Sequence, residues 1–198
     1  AVNTIGGVRI DMAKEQVHSI TARLDELKER TARFLDLVQH ERSFRARTLD
    51  VGLLSFEQVR DYCVVGPMAR ASGLDVDMRR DAPYAIYDRL DFRVVTDYEG
   101  DIWARTLVRI QETMESLRLC RQILAELPEG LLAVRAPRRV PAGEVISRAE
   151  APRGELIYYI RSDGSDKPAR VKIRTPTLTS LITLPDQMRG INIADIPA

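Results

Sequence analysis

An α+β fold, a mainly helical bundle carrying a small antiparallel sheet, is predicted by three features of the chain. Apolar residues recur at helical spacing from Met12 to about Val38, and again from Asp101 to Leu127. Two later runs, Glu155 to Arg161 and Ala169 to Arg174, have strand character and flank Ser162-Asp163-Gly164-Ser165, the composition of a hairpin connection. The chain reads as one domain fragment in three stretches: a strand and long helix over 1–38, loops and a second long helix over 39–130, and a hairpin region with a terminal helix over 131–198.

Ile5 to Asp11 reads as a short strand kinked at Gly6-Gly7, with Asp11 as the N-cap of the first helix. That helix places Val17, Ile20, Leu24, Leu27, Phe34 and Leu37 among Lys, Glu and Arg, an amphipathic pattern suited to a bundle. Gln39 to Asp50 carries Arg42, Arg45 and Arg47, close to Arg30 and Arg33, and reads as a solvated linker or a protein-contact surface. Ser55 with Gln58 forms a capping-box pair, predicting a short helix from Phe56 to Cys63 that Gly66-Pro67 ends. Gly66 to Gly73 reads as loop. Pro83 to Tyr87 suits one or two helical turns, and Phe92 to Val95 is strand-like.

The second long helix ends at Pro128 and Gly130. Leu131 to Val145, with Arg135-Ala136-Pro137-Arg138-Arg139, is expected to run extended over the surface. After the hairpin, a last helix is expected from Thr179 to Met188. No internal repeat is visible.

Composition narrows the function classes. The chain has 198 residues, 44% hydrophobic and 30% charged, an ordinary soluble globular balance. Thirty basic against twenty-nine acidic residues leave a net charge of +1, which gives no field favouring nucleic acid or anionic lipid. No apolar run approaches the roughly 18 residues that span a bilayer, and the N-terminus lacks a signal-peptide layout, so a soluble polypeptide is expected. Cys63 and Cys120 are isolated in helical-looking segments, form no Cys-x-x-Cys pair and are expected to fill core.

Glu150-Ala151-Pro152-Arg153-Gly154 is the most informative segment. An arginine between a proline and a glycine where a hairpin begins is held in a fixed turn, which suits a site that positions a guanidinium. The structural alternative is that Arg153 pairs with Glu150 or with a backbone carbonyl. Asp101, Arg105, Arg109 and Glu112 share one helix face at i, i+4 and i+3 spacing, a charge ladder read as a structural salt-bridge network or a subunit contact.

That segment, Ser162-Asp163-Gly164 and Arg170 to Thr177 resemble in order the large, catalytic subunit of membrane-bound, energy-converting nickel–iron hydrogenases and the homologous quinone-site subunit of respiratory complex I. Upstream, Gly66 to Gly73, Pro83-Tyr84, Tyr87-Asp88 and Gly100-Asp101 with Arg105, Arg109 and Glu112 extend the resemblance over nearly the whole chain. The resemblance implies that Arg153 overhangs a nickel–iron centre as the catalytic arginine, and that Pro176 and Thr177 shape the pocket of the iron's cyanide ligands.

It also implies that the metal ligands, two Cys-x-x-Cys pairs, lie outside these residues. The chain is therefore expected to be an internal fragment, inert alone and binding no cofactor itself. The implied partners are an iron–sulfur small subunit, other hydrophilic-arm subunits and membrane-arm subunits. The implied location is peripheral, on the cytoplasmic side of the inner membrane. Thr177 beside Pro176, and the approach Ala194-Asp195-Ile196-Pro197, favour the hydrogenase branch. Quinone reduction in a complex I-type enzyme, with a quinone as the ligand, and a non-catalytic scaffold homologue stay open as alternatives.

Overall fold

A computed structural model describes residues 2–137 and 139–196. Arg138 of the proline- and arginine-rich run and the closing Pro197-Ala198 lie outside the described residues.

The expected mix of two long helices and a small sheet is present. Strands β1 (Asn3–Thr4) and β2 (Gly7–Val8) pair antiparallel, and Gly7 bridges to Ala133. Helix α1 (Lys14–His40) has its N-cap at Ala13, two residues beyond the expected Asp11: the Ala13 N–H donates to Gln16 Oε1 at 2.9 Å, while Asp11 Oδ1 accepts from Met12 N at 2.8 Å. The second long helix, α6 (Ile102–Ala125), packs against α1, and Arg121 Nη2 meets Asp25 Oδ1 at 2.5 Å across the seam. The buried and half-buried residues of α1 include Leu24, Thr31, Leu35 and Val38, whereas Leu27, Phe34 and Leu37 of the expected apolar face are exposed. The helix has an apolar stripe broader than the face that α6 covers.

Between the long helices lie α2 (Arg42–Thr48), α3 (Phe56–Asp61), α4 (Pro67–Arg70), α5 (Met78–Asp81) and a 3-10 turn over Tyr87–Arg89. The predicted capping box at α3 is formed in both directions, Gln58 N to Ser55 Oγ at 3.2 Å and Ser55 N to Gln58 Oε1 at 2.9 Å. Two expectations are corrected here. The 66–73 loop contains a helix, because Gly66 turns the chain at φ 74° and Pro67 supplies the φ of a first helical residue. Phe92 to Val95 forms no strand. It runs beside α6, with Arg93 N donating to Glu115 Oε1 at 2.9 Å and Val95 packed on Ala71, Ala104 and Val108, and the ladder partners are helix side chains instead of a neighbouring strand.

The main sheet has three strands in the order β3 (Gly143–Ala151), β4 (Gly154–Ser162), β5 (Pro168–Arg174), all antiparallel. The hairpin at Asp163-Gly164 is present. Strand β3 replaces the end of the expected surface excursion and carries the Glu150-Ala151 end of the informative segment. The expected last helix is two short ones, α7 (Pro176–Leu181) and α8 (Leu184–Gln187), because Pro185 cannot donate the hydrogen bond that would join them. Cys63 and Cys120 are both exposed, so the expectation that they fill core is corrected; Cys63 sits at φ 52° where α3 ends.

One close approach fixes the sheet to the helices. A Cβ on Gly154 would lie 2.6 Å from Gly66 N, and a Cβ on Gly66 would lie 2.5 Å from Gly154 Cα, so the two backbones touch with no side chain between them. Both glycines have positive φ, at 122° and 74°. We expect Gly66→Ala and Gly154→Ala each to destabilise the fold by more than the roughly 1–3 kcal/mol of backbone strain alone. Gly164→Ala, at φ 91° with open space around it, is expected to cost only about 1 kcal/mol. Urea midpoints of the three variants check the contrast.

Candidate functional site

The turn Ala151–Gly154 rests on the first turn of α4, and this seat is held by charge. Arg70, the last residue of α4, is 1% exposed and donates through Nε to Glu112 Oε1 of α6 at 2.5 Å. Its Nη1 donates to Glu150 Oε1 of β3 at 2.9 Å and to the Val76 carbonyl at 3.0 Å, with Asp77 Oδ2 at 3.4 Å. Arg79 closes the cluster by donating to both Asp77 oxygens, at 3.0 and 2.8 Å. Glu150 Oε2 accepts from Met78 N at 3.2 Å, and the Tyr84 hydroxyl accepts from Glu150 N at 3.2 Å.

Two guanidiniums therefore face three carboxylates with little water present. Burial works against the Arg70 charge, but Glu112, Glu150 and Asp77 outweigh it and hold its pKa above the usual value. For Glu150 the balance goes the other way. Burial pushes its carboxyl up by more than the Arg70 guanidinium draws it down.

The far side of the same turn faces a cavity of about 310 Å³. Arg153 and Thr177 both line it, so the structure brings together two of the three residues singled out from the sequence. Pro176 is buried in the first turn of α7 and is not among the lining residues. The structural alternative for Arg153 is not realised with Glu150, whose carboxylate is committed to Arg70 and Met78 N. Apolar lining comes from Leu181 of α7, Leu184 of α8, Met188 just after it and Ile102 of α6, and polar lining from Ser180, Gln187 and Asp195. Arg47 holds the C-terminal edge through Asp195 Oδ1 at 3.0 Å and the Ala194 carbonyl at 2.8 Å, and Tyr62 donates to Asp186 Oδ2 at 2.7 Å.

Arg105 and Arg109 join Arg153 on the cavity wall, an arrangement that the ladder spacing foreshadowed and the ladder reading did not assign to a site. The ladder itself is divided among other partners. Asp101 caps α6 through Ala104 N at 2.7 Å and accepts from Asp50 N at 2.9 Å. Glu112 turns to Arg70. Arg105, 5% exposed, donates to the Gly52 and Gly100 carbonyls at 2.8 and 3.2 Å. With dipoles in place of a carboxylate, burial and then the neighbouring Arg109 lower the Arg105 pKa to about 10. Arg109 is lowered too, by burial first and also by Arg153, against the pull of Glu112. The cavity thus combines three arginines and one carboxylate, Asp195, which Arg47 engages, with apolar side chains, a lining suited to a ligand that carries or develops negative charge.

Among the described residues no group of three His, Cys, Asp or Glu is placed to hold a metal ion, and no helix is long and apolar enough to cross a membrane. Arg153 and Thr177 fit a place beside a metal centre, where a cationic donor and a hydroxyl adjust its charge, and not a place in its coordination shell.

Removing Arg70 would leave Glu150 and Glu112 without their guanidinium partner, while Asp77 keeps Arg79, so Arg70→Met is expected to cost about 3–5 kcal/mol. The exposed Arg30–Glu26 pair on α1, 2.8 Å apart, is expected to contribute under about 1 kcal/mol, which Arg30→Ala checks in the same denaturation series. Glu150 gives a pH signature. Its folded pKa lies above its unfolded one, so between the two values the folded chain holds the extra proton, and this group's contribution to stability falls as pH rises through that window. Glu150→Gln is expected to remove that slope across the weakly acidic range, read from urea midpoints of both proteins at a series of pH values.

The family model described as the respiratory-chain NADH dehydrogenase 49 Kd subunit matches residues 1–140 and 131–198. The carbon monoxide-induced hydrogenase of Rhodospirillum rubrum is 43% identical over 199 residues, covering 100% of this chain and 55% of that protein. The NADH-quinone oxidoreductase D subunits of Dehalococcoides mccartyi and Clostridium beijerinckii are 40% and 37% identical, each covering 98% of this chain and 53% of the relative. The chain spans about half the length of these curated relatives. With the family matched over both segments and the motif residues around one cavity, the chain belongs to the family of the 49 Kd subunit of the respiratory-chain NADH dehydrogenase.

Proposed function

We propose that this chain is part of the large subunit of a complex I-like, membrane-bound nickel–iron hydrogenase, which evolves or oxidises hydrogen coupled to electron transfer and ion translocation. The observation that carries the reading is that Arg153 and Thr177 line one cavity, together with Arg105 and Arg109. The 43% identity to a carbon monoxide-induced hydrogenase supports this branch.

A nickel–iron centre supplies the redox chemistry when bound, and its ligands would come from residues other than those described. The residues of this chain act around it. The Arg153 guanidinium presents N–H donors and positive charge to the reacting side of the cavity. The Thr177 hydroxyl donates from the start of α7. Leu181, Leu184 and Met188 limit water on the opposite side, which strengthens both interactions. Electrons pass through an iron–sulfur small subunit, other hydrophilic-arm subunits link it to the membrane arm, and the assembly sits peripherally on the cytoplasmic side of the inner membrane.

The second reading, quinone reduction in a complex I-type enzyme, is favoured by the apolar wall, which suits a quinone ring, and by the two NADH-quinone oxidoreductase relatives. In that case Arg105, Arg109 and Arg153 stabilise the negative charge that a quinone gains on reduction.

In the intact complex, Arg153→Lys is expected to lower hydrogen turnover by roughly 100-fold or more, because the planar fork of donors is lost. Thermal stability should stay near wild type, since the turn is positioned by backbone contact. Hydrogen turnover and quinone reduction are measured on the same preparation, with its nickel content. Normal hydrogen turnover in the variant overturns the Arg153 assignment, and nickel-free complex that reduces quinone selects the second reading.

A further inference from the structure

The β3–β4–β5 sheet stands on the helical body only at its base. Beyond it, residues 143–148 of β3 and 168–173 of β5 are exposed at every position, so both faces meet solvent. Alternation along the strands and the register between them sort the side chains into two unlike faces. On one face, Val145–Ile160–Val171 and Ser147–Tyr158–Ile173 form adjacent cross-strand rows. On the other, the corresponding rows are Glu144–Arg161–Arg170 and Ile146–Tyr159–Lys172.

Both faces are unfinished. Val145, Val171 and Ile173 are 45–55% exposed, more apolar surface than an isolated sheet leaves in water without a partner. Arg161 stands directly opposite Arg170, a like-charge pair that costs stability, and Lys172 is the next residue of β5 on that face. Nearer the body, Arg148 and Arg174 both pair with Glu155. Among the described residues Arg161, Arg170 and Lys172 have no such ion pair.

We propose that the far end of this sheet is a docking element for another protein subunit, one whose cleft presents acidic side chains to Arg161, Arg170 and Lys172 and an apolar wall to the Val145–Ile160–Val171 row. A cleft is required because the two faces lie back to back. A membrane surface could satisfy one face and would leave the other in water, whereas a protein can grip both. The proposal rests on the preceding reading only in taking the chain as one subunit among several.

The test uses the assembled complex. Arg170→Glu places opposite charges across the β4–β5 pair and leaves Glu144 opposite Arg161, so the subunit itself should melt at the same temperature as wild type or higher, while the triple variant Arg161→Gln/Arg170→Glu/Lys172→Glu should reduce co-purifying subunits about tenfold or more. Val171→Asp should weaken assembly from the other face. Wild-type subunit stoichiometry in the triple variant and in Val171→Asp overturns the proposal. So does normal stoichiometry accompanied by lost sedimentation with phosphatidylglycerol vesicles, which would make a lipid surface the occupant. Stoichiometry is read independently of hydrogen or quinone turnover, so the catalytic reading can fail without this one, and the reverse.

Discussion

The Arg70 guanidinium is the point on which the rest of the structure turns. Its donors reach α6 through Glu112, β3 through Glu150 and the segment before α5 through the Val76 carbonyl, three parts of the chain with no continuous hydrophobic core between them. The apolar clusters are small. One joins Leu54, Val59, Val64 and Ala69, and another joins Ala71, Ala104 and Val108. A planar cation with several donors can do what such small clusters cannot, since it fixes direction as well as distance. Burial first, and Asp77 beside it, make a cost that Glu150 bears, visible in its raised pKa.

The cavity reverses this charge balance within a short span of α6. Glu112 faces the carboxylate-rich side, while Arg109, three residues earlier, faces Arg153 and the cavity. One helix thus serves both an acid-rich seat, which holds the turn, and the arginines that line the cavity, with Arg109 bordering both. Arg153 remains available because the carboxylates on either side of it in sequence are already engaged, Glu150 by Arg70 and Glu155 by Arg148 and Arg174. An arginine that found its counter-ion in its own turn would have little field left to offer a reactant.

Much of this was legible in the sequence, and the failures have physical causes. Both long helices were readable because twenty-odd residues of periodic pattern outweigh any single exception. The α3 capping box was readable because it is a local hydrogen-bond pair. Phe92 to Val95 carried strand propensity, yet propensity cannot reveal that the only neighbour would be a helix. Strand β3 was missed because residues exposed on both faces are under little pressure to alternate. For the site, motif order located Arg153 and Thr177, and helix spacing placed Arg105 and Arg109 on one face. That this face meets the turn at 151–154 depends on Arg70 and Glu150, residues 80 positions apart, and no local pattern carries such a contact.

The contact between Gly66 and Gly154 has one further consequence. Because main chain rests on main chain there, the location of residue 153 is set before its side chain is chosen. The scaffold therefore acts as a socket. The group displayed toward the cavity at that position can be exchanged while the seat beneath it stays as it is.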